Sequence, residues 1–307
     1  MQIERFSLHS SDGRSGLDGV IVYPEIEQPK AAIQILHGLA EHVDRYIPLM
    51  EALAEEGFLC VGKSHIGHGK SAISEDRLSD FGSYHAFNYL IDDEASLAKK
   101  LRKNVGKNVP IYLFGHSMGS LIARSLLIHL PKTYQKAVLM GTGNMEPFMN
   151  RMTGGLLSVL RLFVPGTSKL GFLNEAGLGK YNKAFKPNRS PVDWLSVNTD
   201  NVDRYQADPL CGQPCSLHTF YVLNQIMAEI RNPKNLQEMN KDLPVLFLAG
   251  EEDAFGEFSK GVRKVIQLFE EAGMKNVQSK FYPNARHEIL HEDCGDEVVQ
   301  DIIDFFN

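Results

Sequence analysis

The sequence predicts an α/β fold with a mainly parallel central sheet, helices on both faces and a helical insertion. Short apolar runs alternate with amphipathic stretches up to about residue 140, and the same rhythm resumes after residue 242. Nearly continuous apolar runs are typical of strands that are buried on both faces, as in parallel sheets. Residues 144–241 contain no such run and are rich in Met, Phe, Leu, Gly and Asn. We therefore expect a core domain formed by residues 1–143 and 242–307, with residues 144–241 inserted as a helical cap.

Each element of the predicted core follows from apolar spacing and from turn and cap residues. The predicted strands cover residues 4–9, 19–23, 31–36, 58–62, 111–114, 137–140, 243–250 and 278–282. The predicted helices cover residues 45–56, 87–105, 121–130, 259–272 and 297–306. The first two strands are joined by the turn-forming residues 11–13, so we expect them to pair antiparallel.

Two amphipathic helices are predicted inside the insertion. In residues 148–164 an apolar side chain recurs every four residues, and residues 220–230 carry a second apolar stripe. The first stripe consists of Phe148, Met152, Leu156, Leu160 and Val164. We expect both stripes to pack against the core, which is the usual role of apolar helix faces.

The composition is that of an ordinary globular protein and excludes several classes of partner. The chain has 307 residues, 43% of them hydrophobic, and a formal net charge of -6, which gives no electrostatic reason to expect a nucleic-acid partner. The segment Met1–Phe6 lacks the basic flank and apolar run of a secretory signal. No uncharged apolar run approaches the roughly 20 residues that a membrane span requires. We expect a cytoplasmic protein without a transmembrane segment.

The sequence gives no reason to expect a metal, a nucleotide or another cofactor. Four cysteines are too few for a disulfide scaffold in this chain, and no second Cys or His pair at ligand spacing accompanies Cys211 and Cys215. We expect these two to be structural thiols. The stretch Gly69–Ser71 resembles the end of a phosphate loop, but that pattern requires glycine where Ser64 stands.

The pattern Gly-His-Ser-Met-Gly connects a predicted strand to a predicted helix. In such a sharp turn the Ser117 hydroxyl is pushed out at the end of the sheet, and only small neighbours such as Gly115 and Gly119 fit. The helix that follows directs unpaired backbone N–H groups toward negative charge beside the serine. The same glycines also fit a plain tight turn in which Ser117 merely caps the helix, so the wider context must decide.

Three predicted strands end close to residues with the chemistry of a catalytic triad. Ser117, Asp253 and His287 each follow a strand, and parallel sheets place their chemistry beyond the carboxyl ends of strands. The chain order Ser, Asp, His is that of the α/β-hydrolases. In this interpretation His287 is the general base and later the general acid, and Asp253 fixes its tautomer.

Other residues compete for two of these roles. His291 is an alternative base, but it lies near the predicted C-terminal helix, whereas His287 lies on the loop that leaves the last strand. Glu251 and Glu252 are alternative acids, but both stand closer to the strand end than Asp253. We therefore favour His287 and Asp253.

Acyl transfer also requires donors for an oxyanion. One predicted donor is the backbone N–H of Met118, the residue after the nucleophile, and the other is that of Leu39, in the loop after an early strand. Gly38 allows that backbone to approach closely, and His37 supports the loop through local hydrogen bonds.

Several motifs together resemble the monoacylglycerol lipase and lysophospholipase branch of the α/β-hydrolases. The segment His37–His42, followed by Arg45–Tyr46, is similar to the H-G-x-x-E-H-x-x-R-Y signature of that branch. The Gly-His-Ser-Met-Gly turn around Ser117 agrees with this branch. So do Gly67–Ser71, which matches the motif G-H-G-x-S, and Gly250–Asp253, which matches G-x-x-D. In the cap, Asp193–Ser196 and Asp208–Cys211 resemble bacterial lysophospholipases. Ser64 departs from the family, because many relatives have Asp there.

This resemblance implies a serine esterase that acts on monoacylglycerols or lysophospholipids. The implied substrate is a small-molecule ester whose apolar acyl chain lies under the cap, where Met and Phe side chains line a groove. A transient contact with a membrane surface is compatible with such a substrate. An acyltransferase would use the same Ser117, Asp253 and His287 but exclude water. A non-catalytic binding module is the third alternative, although it normally requires the loss of a triad residue.

Overall fold

One eight-stranded sheet runs through the computed structural model, which describes residues 1–307. The strands are β1 (Gln2–His9), β2 (Gly16–Tyr23), β3 (Ala32–Leu36), β4 (Leu59–Lys63), β5 (Ile111–His116), β6 (Lys136–Met140), β7 (Val245–Gly250) and β8 (Val277–Tyr282). Their order in the sheet is β1-β2-β4-β3-β5-β6-β7-β8. β2 pairs antiparallel with β1 and β4, and every other neighbouring pair is parallel. The predicted fold class is confirmed.

Eleven helices accompany the sheet. They are α1 (Ile47–Glu55), α2 (Ala86–Val105), α3 (Met118–His129), α4 (Pro147–Leu160), α5 (Gly171–Asn174), α6 (Lys180–Asn182), α7 (Thr199–Ala207), α8 (Leu217–Glu229), α9 (Pro233–Leu236), α10 (Lys260–Glu271) and α11 (Gly295–Phe306). None of them combines the length and apolar composition that a helix needs to cross a bilayer. The helix predicted from residue 45 is preceded by a short 3₁₀ turn, Val43–Tyr46, and a proline in the first turn then begins α1.

The sheet separates two apolar layers, which explains the continuous apolar runs in the sequence. All residues of β3, β4 and β7 are buried, because helices cover both faces of the sheet at these central strands. Helices α2, α3, α8 and α10 contribute to the layer on one face. Helices α1 and α11 contribute to the layer on the other. The edge strand β1 is largely exposed.

The segment between β6 and β7 contains helices and no strand. Of the second predicted stripe, which helix α8 carries, Ile226, Met227 and Ile230 are buried in the main core and Leu223 is partly buried against it, while Phe220 packs against the small cluster around Leu217. This prediction of core packing is confirmed. The inserted segment is thus anchored to the sheet domain through one long helix.

The predicted packing of the first stripe is wrong for three of its five residues, while Leu160 and Val164 are partly buried and pack against a small apolar cluster. Helix α4 forms, but Phe148, Met152 and Leu156 are 69%, 59% and 48% exposed. The apolar residue of α4 that is buried is Leu157, which packs with Leu217 at the start of α8. Helical spacing fixes which side chains share a face but not which face the rest of the chain covers.

The four cysteines are free thiols, and Cys211 and Cys215 are both buried. Burial raises the pKa of the Cys215 thiol to about 12 and raises that of Cys211 further above its ordinary value. Both side chains are therefore neutral at physiological pH, as expected for structural thiols.

Candidate active site

Ser117 occupies the single position between strand β5 and helix α3. Its backbone has φ 53° and ψ -120°, a conformation that a non-glycine residue adopts only when its surroundings enforce it. A Cβ atom added at Gly115 would lie 2.5 Å from the carbonyl oxygen of Gly119, and one added at Gly119 would collide with the Leu36 carbonyl. The two glycines are therefore required by close packing around the turn.

Three of the predicted residues meet at the carboxyl ends of β5, β7 and β8. The Nε2 atom of His287 lies 2.8 Å from the Oγ atom of Ser117. The Nδ1 atom of the same ring lies 3.0 Å from Oδ2 of Asp253. Asp253 is fully buried and His287 is 2% exposed. The three side chains form one continuous hydrogen-bonded chain.

The side chains of the competing candidates form no hydrogen bond with Ser117 or His287. The backbone carbonyl of His291 accepts a hydrogen bond from the Asn198 side chain, and this histidine belongs to the short turn Ile289–His291 rather than to α11. Glu251 is exposed, and the Glu252 carboxylate lies 3.8 Å from the Arg286 side chain. The hydrogen bonds of the His287 ring are made with Asp253 and Ser117.

The His287 imidazole is in an environment that favours its charged form. Burial alone lowers the pKa of this ring, but the adjacent Asp253 carboxylate raises it through charge and a hydrogen bond. Glu288 and Glu41 add to the increase, and the net pKa is raised above the ordinary value of 6.5. A base with this preference readily takes a proton from a neighbouring hydroxyl.

The loop after β3 approaches the serine from the other side. A Cβ atom at Gly38 would collide with Glu41 Oε1 and lie 3.2 Å from the Ser117 Cβ, so a side chain there would displace the buried Glu41 carboxylate. His37 donates through Nδ1 to the Gly38 carbonyl at 2.7 Å and accepts at Nε2 from the His65 N–H at 2.9 Å. Burial lowers the pKa of His37 well below its ordinary value, so the ring is neutral. Leu39 and Met118 lie on the two segments that flank Ser117.

A buried polar network behind the triad was not anticipated from the sequence. The Tyr46 hydroxyl lies 2.7 Å from Glu41 Oε1 and 2.6 Å from His116 Nδ1. The other nitrogen of His116 lies 3.3 Å from the carbonyl of His287. The signal was present, because Glu41 and Tyr46 belong to the H-G-x-x-E-H-x-x-R-Y motif.

Arg45, also part of that motif, joins two buried carboxylates. Its guanidinium donates to Glu41 at 2.5 Å and in a bidentate manner to Glu288 at 2.6 and 2.8 Å. Burial alone raises the pKa of Glu288, but the Arg45 charge outweighs burial and lowers this pKa to about 2. Because Glu288 follows His287 directly, this ion pair holds the His287 loop against the loop after β3.

Residues from the inserted segment bind the same loop. The Ala40 carbonyl accepts hydrogen bonds from the Tyr205 hydroxyl and from the Gly212 N–H, each at 2.9 Å. The Nε2 atom of His42 lies 2.7 Å from Asp208 Oδ2, and the Cys211 thiol completes a group whose donor atoms lie within 4.8 Å of one another. The cysteine spacing gave no sign of this group. The hydrogen bond between His42 and Asp208 gives both side chains a partner, and it ties the insertion to the loop beside Ser117.

Comparisons with known proteins identify the family of the chain. The protein-family model described as serine aminopeptidase, S33, matches residues 27–294. The monoglyceride lipase of Mus musculus is 27% identical over 276 residues, which cover 86% of this chain and 81% of that protein. The monoacylglycerol lipase of Mycolicibacterium smegmatis is 25% identical over 308 residues, and the match covers 96% of each chain.

A solved structure is also similar over the full length. A highly thermostable carboxyl esterase from Bacillus coagulans, in complex with glycerol, has a TM-score of 0.92 and 28% identity to this chain. The match covers 100% of this chain and 98% of the esterase. The resemblance to α/β-hydrolases of the monoacylglycerol lipase branch is therefore confirmed. Since the family model spans most of its length, the chain belongs to the serine aminopeptidase S33 family of the α/β-hydrolases.

Proposed function

We propose that the protein hydrolyses carboxylic esters through an acyl intermediate on Ser117. The observation that carries this proposal is the continuous chain from Asp253 to His287 at 3.0 Å and from His287 to Ser117 at 2.8 Å. A serine hydroxyl is a weak nucleophile at neutral pH, so His287 Nε2 takes its proton as Oγ attacks the ester carbonyl. Asp253 accepts the hydrogen bond from Nδ1 and stabilises the imidazolium.

The rest of the reaction follows from the same groups. The tetrahedral oxyanion is bound by the backbone N–H groups of Leu39 and Met118, while His37 and Gly38 shape the loop that carries the first donor. As the intermediate collapses, the imidazolium of His287 gives its proton to the leaving alkoxide. Water then attacks the acyl carbonyl, His287 accepts a water proton, and Ser117 regains its own when the carboxylic acid leaves.

Monoacylglycerols or lysophospholipids are the proposed substrates. Relatives that align over most of the chain carry the names monoglyceride lipase and monoacylglycerol lipase, and the similar carboxyl esterase structure contains glycerol. In this proposal residues 144–241 form the cap over the acyl chain. Its anchored helix α8 and its hydrogen bonds to Ala40 support a cap that stays close to the catalytic loops.

The surface of the proposed cap suits contact with an anionic membrane, where such substrates reside. Eight large apolar side chains on α4 and the chain that follows are exposed: Phe148, Met149, Met152, Leu156, Val159, Leu162, Phe163 and Phe172. Residues 147–190 contain seven Lys or Arg residues and one acidic residue, Glu175, whereas the whole chain has a net charge of -6. An apolar face surrounded by basic residues is typical of segments that lie in a membrane interface.

The nucleophile is tested with a fluorophosphonate probe, which reacts with activated serines. The wild type is expected to be labelled, and Ser117→Ala is expected to lose the label completely. Ser125→Ala is a matched control, because Ser125 lies on helix α3, which follows Ser117, and bonds to Glu229 rather than to the triad. Equal labelling of Ser117→Ala and the wild type would contradict the proposed nucleophile.

The substrate class is tested by product analysis. Hydrolysis rates over p-nitrophenyl esters of increasing acyl length, a monoacylglycerol and a lysophospholipid measure the preference for chain and head group. Adding glycerol as an acceptor separates hydrolysis from acyl transfer. Free fatty acid as the main product supports a hydrolase, and predominant transfer to glycerol would overturn that assignment.

A further inference from the structure

Trp194, the only tryptophan in the chain, packs against the imidazole ring of His287. The two ring centroids are 4.9 Å apart and the ring planes are inclined by 37°. Both side chains are nearly inaccessible to solvent, with exposed fractions of 7% for Trp194 and 2% for His287. The indole belongs to the segment inserted between β6 and β7, so a residue from outside the sheet domain contacts the proposed base.

The backbone on either side of both residues fixes this contact. The Arg286 guanidinium donates to the carbonyl of Asp193 at 2.6 Å. The N–H of Glu288 donates to the carbonyl of Leu195 at 2.8 Å. The neighbours of His287 are thus bonded to the neighbours of Trp194, which sets the two rings opposite each other.

The backbone that carries Trp194 is also held within the inserted segment. The backbone N–H of Trp194 donates to the Asn182 side chain at 2.9 Å, and the Asp193 carboxylate accepts hydrogen bonds from Ser190. The ring of Tyr181 lies 5.1 Å from the indole. An indole that is buried on a fixed backbone loses little further entropy when its neighbour becomes charged.

We propose that Trp194 is a positioning residue that keeps the His287 ring aligned between Asp253 and Ser117 and stabilises the imidazolium formed during attack. The inference rests on the proposed function, in which His287 is the base. The face of an aromatic ring attracts a cation, and this attraction is stronger in a site without water. The charge on His287 develops only as the reaction proceeds, so the stabilisation acts on the transition state.

Other charged or titratable groups around His287 come from separate elements and remain in place when Trp194 is changed. The acidic groups are Asp253 after β7, Glu288 on the His287 loop and Glu41 in the loop after β3, with Arg45 beside them. The others are His116 at the end of β5, whose ring centroid is 4.9 Å from that of His287, and Ser117. The ring of Phe255 approaches His287 edge to face at 5.4 Å. Substituting Trp194 therefore removes one contribution while the anions that face His287 stay.

The first experiment measures kcat/KM against pH with a soluble short-chain ester for the wild type, Trp194→Phe and Trp194→Leu. Loss of the indole removes a group that stabilises the protonated His287 ring, so the pKa of His287 is expected to fall. The acid limb of the pH profile, where kcat/KM drops as His287 becomes protonated, is therefore expected to move to lower pH in Trp194→Leu. The expected shift is roughly half to one and a half pH units. Trp194→Phe retains an aromatic face and is expected to restore most of the shift.

The control is Phe185→Leu. Phe185 packs in the same apolar cluster as Trp194, but its ring lies against Arg286 and not against His287. This variant is expected to keep the wild-type acid limb. An acid limb of Trp194→Leu that coincides with that of the wild type would overturn the proposal.

The second experiment needs neither turnover nor a Trp194 variant. A protonated imidazole quenches the emission of an indole that it contacts, so the fluorescence of the single tryptophan is expected to fall as the pH is lowered through the pKa of His287. In His287→Gln this titration is expected to disappear. If the fluorescence changed with pH equally in the wild type and in His287→Gln, the contact between Trp194 and His287 would be overturned. Failure of the fluorophosphonate test would instead overturn the proposed function and leave the fluorescence titration unchanged.

Discussion

The Oε1 atom of Glu41 accepts a hydrogen bond from the backbone N–H of Gly38 at 2.5 Å. The same oxygen accepts from the Tyr46 hydroxyl at 2.7 Å, and Glu41 is 2% exposed. One buried carboxylate oxygen therefore sets the curvature of the loop that approaches Ser117. Although burial opposes ionisation, the charge of Arg45 lowers the pKa of Glu41 well below its ordinary value, so the carboxylate stays charged.

Glu41→Gln is expected to lower kcat by roughly tenfold to a hundredfold, somewhat less than the loss of an oxyanion donor. The amide has only one oxygen, so its NH₂ group must face either Arg45 or the Gly38 N–H, both of which are donors. Steady-state kinetics and thermal unfolding check the result. Asp44→Asn is the control, because Asp44 is partly exposed and bonds to Arg5 at the surface. An unchanged kcat in Glu41→Gln would contradict this role.

Asp253→Asn is expected to lower kcat by about 10⁴-fold while the protein stays folded, because the amide cannot hold His287 in the reactive tautomer. Glu252→Gln is the matched control and is expected to retain wild-type kinetics, since its side chain is 42% exposed. The rate of fluorophosphonate labelling provides a second measurement. A large loss in Glu252→Gln with little loss in Asp253→Asn would reverse the assignment of the acid.

Glu288→Gln is expected to destabilise the fold by about 3 to 5 kcal/mol at pH 7, because it leaves the buried Arg45 with one anionic partner fewer. The folded-state pKa of Glu288 is about 2, below its ordinary value of 4.5. Its contribution is therefore complete above pH 4.5 and is lost as the pH falls toward 2. Urea unfolding is expected to give the same difference in free energy of unfolding between the variant and the wild type at pH 7 and 5, and a smaller difference at pH 4 and 3.

The control for this measurement is Glu297→Gln. Glu297 pairs with Lys280 at 2.8 Å, but its side chain is 59% exposed. Exposed ion pairs contribute little to stability, so Glu297→Gln is expected to change the free energy of unfolding by less than about 1 kcal/mol. If the difference in free energy of unfolding between Glu288→Gln and the wild type stayed constant down to the lowest pH, the ion pair with Arg45 would not be its cause.

Phe163→Glu is expected to reduce binding to vesicles that contain phosphatidylglycerol several-fold and to leave the hydrolysis of a soluble short-chain ester unchanged. Phe163 is 80% exposed and lies within the basic stretch 147–190, so a carboxylate there opposes both apolar insertion and attraction to the lipid. Vesicle sedimentation measures the binding. Ile73→Glu is the control, because Ile73 is 62% exposed but lies outside this stretch. An equal loss of vesicle binding in Phe163→Glu and Ile73→Glu would contradict residues 147–190 as the specific membrane-contacting surface.

The strand ends were predictable because parallel sheets bring their carboxyl ends to one edge, and this placed Ser117, Asp253 and His287 together. The contact between Trp194 and His287 was not predictable. It depends on hydrogen bonds that the carbonyls of Asp193 and Leu195 accept from Arg286 and Glu288, which no periodic pattern encodes. The exposure of α4 was missed for a related reason, since apolar spacing does not reveal which neighbour, if any, covers a face.

The hydrogen bonds at Asp193 and Leu195 distinguish two parts of the insertion, one bonded to the His287 loop and one that is not. Residues 193–212 hold the His287 loop through the carbonyls of Asp193 and Leu195 and bond to Ala40, so a shortened chain that lacks them is expected to lose the alignment of His287 with Ser117. Residues 147–172 make no hydrogen bond to the triad side chains or to residues 193–196, whereas Tyr181, Asn182 and Ser190 support Trp194 and Asp193. Under the proposed function, changes in residues 147–172 are expected to alter substrate range and membrane contact without displacing His287, whereas changes in residues 193–212 are expected to alter the geometry of the triad.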